Sequence, residues 1–346
     1  IVEISKLEKP TQEEVLKVMQ RYIDDKKKPL SKSNILRAYN KLKDADEVRL
    51  PKNKEKNFYR NIRKKKIRTI SGVTPVTVLT KPFPCPGQCI FCPNDVRMPK
   101  SYLADEPGAQ RAEANKFDPY FQTYNRLVAY NNIGHPTDKV ELIVLGGTWS
   151  HYPKDYQIWF IKRCFEAMND FDKDNEPVAM KVNTKDPIDK NLLEEIKGEA
   201  MKDTYNQVIA KALIKKTTNE QHETADWDEL FKAQKKNENA KSRCVGLVLE
   251  TRPDEITEEE LIRIRKLGGT KIQIGIQTLD DKVLEMNKRG HDSDTTRKAI
   301  NLIRQAGFKI HAHWMPNLYG SNPEKDTKDF IKLFSDESIK PDEIKI

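Results

Sequence analysis

Five short, apolar, β-branched runs constrain this chain more than any other feature. They are Val73 to Leu79, Val140 to Leu145, Val245 to Leu249, Lys271 to Ile276 and Phe308 to Trp314. The last residues, 342–346 (DEIKI), read as the start of a sixth. Amphipathic, helix-length stretches separate them. Parallel strands need a long crossover, and a helix usually supplies it, so this alternation predicts βαβ units. The expected fold is α/β, a parallel (β/α) barrel that is open or partial, with a doubly wound sheet as the alternative. Barrel sites gather at the C-terminal ends of the strands. Here the five runs end in a cysteine loop, Gly146-Gly147-Thr148, Glu250-Thr251-Arg252-Pro253-Asp254, Gln277 and His313-Trp314-Met315-Pro316. Five polar endings favour a barrel with one shared mouth.

The first ending carries the most chemistry. Residues 81–95, KPFPCPGQCIFCPND, place Cys85, Cys89 and Cys92 in a C-x3-C-x2-C array. Pro84, Pro86, Pro93 and Gly87 forbid a helix or strand through it, so it is a loop with clustered thiols. Such thiolates bind a metal or an iron–sulfur cluster more often than they fill a core. A structural zinc site needs four protein ligands, and the loop offers three. Three thiolates suit a [4Fe–4S] cluster with one iron open to a small molecule. Zinc remains the alternative. Cys164, inside a helix pattern, and Cys244, at a strand start, read as core thiols.

Residues 1–70 read as a small helical, basic region and 71–346 as the barrel. Thr11 and Glu14 form a capping-box pattern. The run DDKKKP (24–29) is expected to break the first helix, Ser33 to cap a second, and residues 43–58 to form a charged loop. Between Arg60 and Arg68, Arg60, Arg63, Lys64, Lys65, Lys66 and Arg68 make a basic strip with Tyr59 beside it. It is either a solvated charge run or a phosphate-contacting surface. Asp118-Pro119 and the Thr257/Glu260 pair announce helix starts, and Gly268-Gly269 a helix end. Residues 170–241 form a polar insertion with helical stretches, among them Leu192 to Ala200, Tyr205 to Lys215 and Trp227 to Ala233.

The chain carries 62 Lys and Arg against 53 Asp and Glu, a formal net charge of +9. That balance favours a polyanionic partner, nucleic acid first. No apolar run approaches the ~20 residues of a membrane span, and no signal-peptide core is evident at the N-terminus. An odd five cysteines argue against a disulfide scaffold, and a reducing cytoplasm is the expected compartment.

The cysteine loop after the first strand, with Phe91 before its last cysteine, resembles the radical S-adenosylmethionine superfamily. Gly146-Gly147-Thr148 is similar to that superfamily's Gly-rich turn after the second strand. The segments CPGQCIFCPND, DKVELIVLGGTW, RCVGLVLETRPDEIT, IQIGIQTLDDKVLEMNKRGH and HWMPNL, in this order, resemble the catalytic subunit of Elongator. The resemblance covers residues 60–346. It implies a tRNA uridine(34) acetyltransferase, or carboxymethyluridine synthase. In that family S-adenosylmethionine is cleaved to a 5′-deoxyadenosyl radical. The radical takes hydrogen from the acetyl methyl of acetyl-CoA, and the carbon radical adds to C5 of the wobble uridine.

Residue by residue, the resemblance implies that Cys85, Cys89 and Cys92 hold the cluster. Gly146, Gly147, Thr148, Glu250, Arg252 and Gln277 would contact S-adenosylmethionine. Lys139 matches a lysine tied to acetyl-CoA, with an ordinary strand-entry lysine as the other reading. The basic strip would contact tRNA in its anticodon region. His291 and His313 are expected to face the mouth, to orient substrate or to serve as packing histidines. The resemblance leaves room for a homo-oligomer or for Elongator-type partner subunits. Family members also carry a C-terminal acetyltransferase domain with an R/Q-x-x-G-x-G/A turn. This sequence has no such turn and stops inside a strand, so a piece of a longer protein is expected. Two other readings stand beside this one: a radical enzyme on another substrate, and a zinc-holding, non-catalytic tRNA-binding module.

Overall fold

A computed structural model describes residues 1–22, 30–171, 205–216 and 223–346. The expected helix break at 24–29 and the helix expected over Leu192 to Ala200 lie outside the described residues. Six strands, β1 (Thr74–Leu79), β2 (Lys139–Leu145), β3 (Arg243–Thr251), β4 (Lys271–Gln277), β5 (Lys309–Trp314) and β6 (Glu343–Lys345), form one sheet. Their order is β1-β2-β3-β4-β5-β6, and each pairs in parallel with the next. This is a partial barrel, curled and open between β1 and β6. Pro75 is the second residue of β1, an edge strand, where its missing N–H disturbs little.

The helices, in chain order, are α1 (Val2–Ser5), α2 (Gln12–Gln20), α3 (Lys32–Asp44), α4 (Lys52–Ile62), α5 (Pro107–Ala114), α6 (Pro119–Asn132) and α7 (Lys154–Asp170). They continue with α8 (Tyr205–Lys216), α9 (Trp227–Asn237), α10 (Glu258–Lys266), α11 (Asp281–Met286), α12 (Ser293–Gln305) and α13 (Pro323–Ser335). Strand residues alternate between faces. Val140, Leu142 and Val144 of β2 and Ile272, Ile274 and Ile276 of β4 are buried in the main core, with Leu127 of α6, Phe160 of α7 and Ile264 of α10. The other face, inside the curl, is polar. There Lys271 Nζ donates to Glu141 (2.9 Å) and Glu343 (2.7 Å), and Gln273 meets His311 at 3.2 Å. A polar interior under an apolar outer layer leaves room for a polar substrate rather than a second sheet.

The first four helices enclose their own cluster, with Ile4, Val15, Met19, Leu36, Tyr39, Phe58 and Ile62 buried. The Thr11–Glu14 capping box is present on both sides. Two expectations change here. Ser31, not Ser33, caps α3, accepting from the Asn34 N–H at 3.1 Å, because starting at Lys32 turns Ile35 as well as Leu36 and Tyr39 inward. Residues 52–58, expected as loop, open helix α4. Phe58 and Ile62, one turn apart, are both buried in this cluster with Tyr59 packed against it, and they anchor a helix rich in charged residues. Tyr39 and Phe58 rings pack at a tilt of 57° with centroids 4.7 Å apart. The Thr257 cap is half of the expected box. Thr257 Oγ1 accepts from the Glu260 N–H at 3.1 Å, but the Glu260 carboxylate pairs with Arg263 instead of reaching back.

Candidate active site at the strand ends

Cys85, Cys89 and Cys92 line one cavity with Gly147, Thr148, Glu250, Arg252, Gln277 and His313. These residues come from a loop and four strand ends, yet face the same space. Residues after β1, β2, β3, β4 and β5 meet there, as a parallel half-barrel dictates.

The turn after β2 requires glycine. Gly146 has φ +144°, and a Cβ on it would collide with Thr80 Oγ1. Gly147 has φ +87°, with the Lys100 carbonyl oxygen 3.4 Å from where its Cβ would stand. Gly146 therefore sits directly behind the cavity wall, and Gly147 forms part of it. Thr148 Oγ1 lies 3.5 Å from Cys85 Sγ. Gln277 follows a register shift in β4 and adopts φ +66°, a costly conformation for a residue with a side chain. The Met315 N–H donates to the Gln277 carbonyl at 2.8 Å and holds the kink. The kink re-aims the end of β4 into the cavity.

Electrostatics centre on Cys89. Arg289 Nη1 is 3.4 Å from its sulfur and Arg252 Nη1 is 3.8 Å away. A hydrogen bond from Cys92, then Arg289 and Arg252, hold the Cys89 thiol well below its usual range against the opposing effect of burial. The same Cys89 contact pushes Cys92 up. Burial opposes the charge of Arg252, but a two-pronged bond to Asp254 (2.9 and 2.7 Å) outweighs it and holds the guanidinium above its ordinary value. Arg252 also donates to the Arg289 carbonyl at 2.7 Å. Gly87 is glycine because Arg252 passes through the space a Cβ would fill.

Across the cavity, burial raises the Glu250 carboxyl. The Tyr102 hydroxyl donates to it at 2.8 Å, and His313 Nδ1 stands 3.4 Å from its other oxygen. Burial pushes His313 down to about 3, so its ring is neutral. Among the described residues, His313 Nε2 and Arg289 Nε are buried without a hydrogen-bond partner. Two orphaned donors or acceptors facing one cavity suit a polar ligand.

The polar insertion contributes directly. Asn206 of α8 accepts from the Cys85 N–H (3.0 Å) and donates to the Cys85 carbonyl (2.7 Å), fixing the loop as a strand neighbour would. Lys81 pairs with Glu223. Tyr205 donates to the Met98 carbonyl at 2.8 Å.

Other expected residues lie elsewhere. His291 is outside the cavity lining, its Nδ1 3.3 Å from the Asp292 carbonyl; burial pushes its pKa down. Its two-residue separation from Arg289 turns the arginine inward and leaves the histidine beyond it, which the string RGH does not reveal. Lys139 is exposed at the N-terminal end of β2, the end remote from the mouth. Cys164 is buried in α7; Cys244, in β3, is pushed up to about 12 by burial. The basic strip is divided. Arg60 closes α4 and donates to the Glu8 carbonyl at 2.8 Å. Arg63 donates to the Gly134 carbonyl at 2.6 Å. Lys64 and Lys65 are exposed, and Lys66 opens a 3-10 turn that contains Arg68.

Arg289, Tyr102 and Asn206 were not foreseen. Nothing in their local sequence marks them, since each acts across more than 100 residues of chain on Cys89, Glu250 or Cys85.

Do the residues fit an iron–sulfur cluster? Among the described residues no three His, Cys, Asp or Glu side chains are grouped to hold a single metal ion. The three thiols instead stand around a shared cavity with guanidiniums behind one of them, an arrangement suited to a multi-atom, anionic centre.

Comparison with known proteins agrees. The radical SAM superfamily model matches residues 217–333. A tRNA uridine(34) acetyltransferase of Methanocaldococcus jannaschii is 38% identical over 291 residues, 82% of this chain and 44% of that protein. The chain thus carries a radical SAM superfamily domain. A Dehalococcoides mccartyi tRNA uridine(34) acetyltransferase is also 38% identical, over 82% of this chain and 50% of its own length. Human Elongator complex protein 3 is 27% identical over 82% of this chain and 44% of that protein. The solved archaeal Methanocaldococcus infernus Elp3, with an N-terminal deletion, superposes with a TM-score of 0.52 at 32% identity, over 79% of this chain and 45% of that one. The chain thus spans about half the length of the curated relatives it matches. A radical SAM domain implies a [4Fe–4S] cluster and S-adenosylmethionine.

Proposed function

We propose that this radical SAM chain supplies the cluster-holding part of a tRNA uridine(34) acetyltransferase that makes carboxymethyluridine with acetyl-CoA as co-substrate. One observation carries the reading: the cysteine loop, the Gly146-Gly147-Thr148 turn, Glu250, Arg252 and Gln277 meet in one cavity at the strand ends. Relatives that share this chain's sequence over 82% of its length are named for that activity.

The roles follow from position. Cys85, Cys89 and Cys92 would hold the cluster. When bound and reduced, the cluster supplies the electron that cleaves S-adenosylmethionine. Gly146, Gly147 and Thr148 offer a turn close enough for a ligand's polar groups to reach backbone, and Arg252 offers a fixed cation for a carboxylate. Glu250 and Gln277 line the same cavity. Any acetyl-CoA contact at Lys139 belongs outside this cavity, at the far end of β2. Residues 1–70 would form the tRNA-binding region and 71–346 the radical domain, with the strip from Arg60 to Arg68 directed to the anticodon region. A reducing cytoplasm suits the free thiols. Elongator-type subunits or a second copy of the chain are the expected partners.

The test is anaerobic. The cluster is reconstituted and reduced, and 5′-deoxyadenosine is measured with and without tRNA. Cleavage that rises with tRNA supports the reading. Cleavage indifferent to tRNA points to another substrate. A colourless protein that holds zinc on the three cysteines overturns it.

A further inference from the structure

Four arginines gather on the outer flank of β1, away from the cysteines. Arg63 follows α4, Arg68 lies in the 3-10 turn Lys66–Thr69, Arg111 is in α5 and Arg126 in α6. Arg111 has Arg126 and Arg68 as its positive neighbours, and together with burial they hold its guanidinium below its ordinary value. Buried His135 has Arg63, Arg68 and Arg126 beside it. His135 also fixes the strip. Its two ring nitrogens meet the Lys64 carbonyl and the Thr69 hydroxyl, each at 2.8 Å. Arg126 lies over the Tyr130 ring at 4.2 Å and donates to its hydroxyl at 3.0 Å, while its Nε is buried without a partner among the described residues.

None of the four forms an ion pair with a carboxylate among the described residues. Elsewhere Arg97, Arg163, Arg252 and Arg297 each pair with an acid. With 53 acidic residues available, pairing was open to selection. Guanidiniums held together without a counter-charge repel one another, and an anion relieves that cost. Their planar forks match phosphate oxygens. Ile67 and Ile70, 77% and 82% exposed, flank Arg68. A macromolecule that covers the arginines would cover these too, whereas a free ion would not.

We propose that Arg63, Arg68, Arg111 and Arg126 form one phosphate-binding site for the backbone of the substrate RNA. The site extends the basic strip onto α5 and α6, joining the N-terminal helices to the barrel through a single ligand. It rests on the reading that the substrate is RNA.

The test uses the whole chain and a tRNA transcript, with affinity measured over a salt series. Arg68→Ala and Arg111→Ala should each weaken binding about tenfold and lower the slope of log affinity against log salt by about 0.7–0.9. Lys17→Ala, which removes an exposed cation paired with Glu13 on α2, should change neither. Arg68 is exposed, so its removal reads binding without a folding defect. Wild-type affinity and slope in both arginine variants would overturn the site while leaving the RNA reading intact. A wild-type chain that does not bind tRNA would overturn both. Inorganic phosphate or coenzyme A whose binding alone depends on these arginines would overturn RNA as the occupant.

Discussion

Arg289 and Arg252 converge on one sulfur, and that contact should decide how firmly the cysteine loop holds its centre. Arg289 is 5% exposed, donates to the Gly275 carbonyl at 2.6 Å and reaches Cys89 at 3.4 Å. Removing a group that orients a metal ligand commonly costs about 10–100-fold in metal affinity. Arg289→Met should therefore retain less iron after desalting, by roughly that factor in affinity; unchanged iron content would show that Arg289 only packs. Burial depresses His135, His291, His311 and His313, and together they set a pH dependence. They are neutral when folded and take up protons below about pH 6.5 when unfolded. Their stabilisation is thus complete above about pH 6.5 and is lost as pH falls toward the folded values. Glu250, whose carboxyl is raised, acts in the opposite direction at the acid end. The melting temperature should fall between pH 7.5 and 5.5, and His313→Gln should fall less. Equal slopes would remove His313 from the account.

Elements far apart in the chain meet at the loop. Helix α8 stands 121 residues from Cys85, yet Asn206 satisfies both backbone groups of that cysteine. Asn206→Leu leaves a part-buried N–H and C=O without their partner, at a cost of at most about 1–3 kcal/mol each. It should also loosen the loop, so iron loading falls with the melting temperature. A variant with the wild-type iron content and melting temperature would show that α8 merely rests on the loop.

The whole molecule has two large hydrophobic clusters of separate membership, one under the sheet and one among the first four helices. They meet at Gly134, where Leu36 Cδ2 is 2.9 Å from the position of a Cβ. Truncation of a buried phenylalanine costs about 3–5 kcal/mol. Phe58→Ala should expose the amides of α1 to α4 to hydrogen exchange and leave those of β2 to β4 protected. Loss of protection across the sheet would mean that the two clusters unfold as one.

The sequence by itself determined the strands, their parallel pairing and the turn chemistry at their ends. Period-two apolar runs, Asp118-Pro119 and Gly146-Gly147 act through the local backbone, and a local signal survives without knowledge of the fold. It also carried the cysteine spacing and the superfamily. It misjudged residues 52–58, because a helix anchored by Phe58 and Ile62 resembles a charged loop when its partner Tyr39 is unknown. The rest was decided in three dimensions. Arg289 on Cys89, Tyr102 on Glu250, Asn206 on Cys85 and the three arginines beside His135 each join segments that only the curled sheet brings together. Lys139 and His291 lie outside the cavity for the same reason: which end of a strand, and which side of a turn, a residue occupies is fixed by packing. Hydrogen bonds and charges act over a few ångströms of space, and the sequence records distance only along the chain.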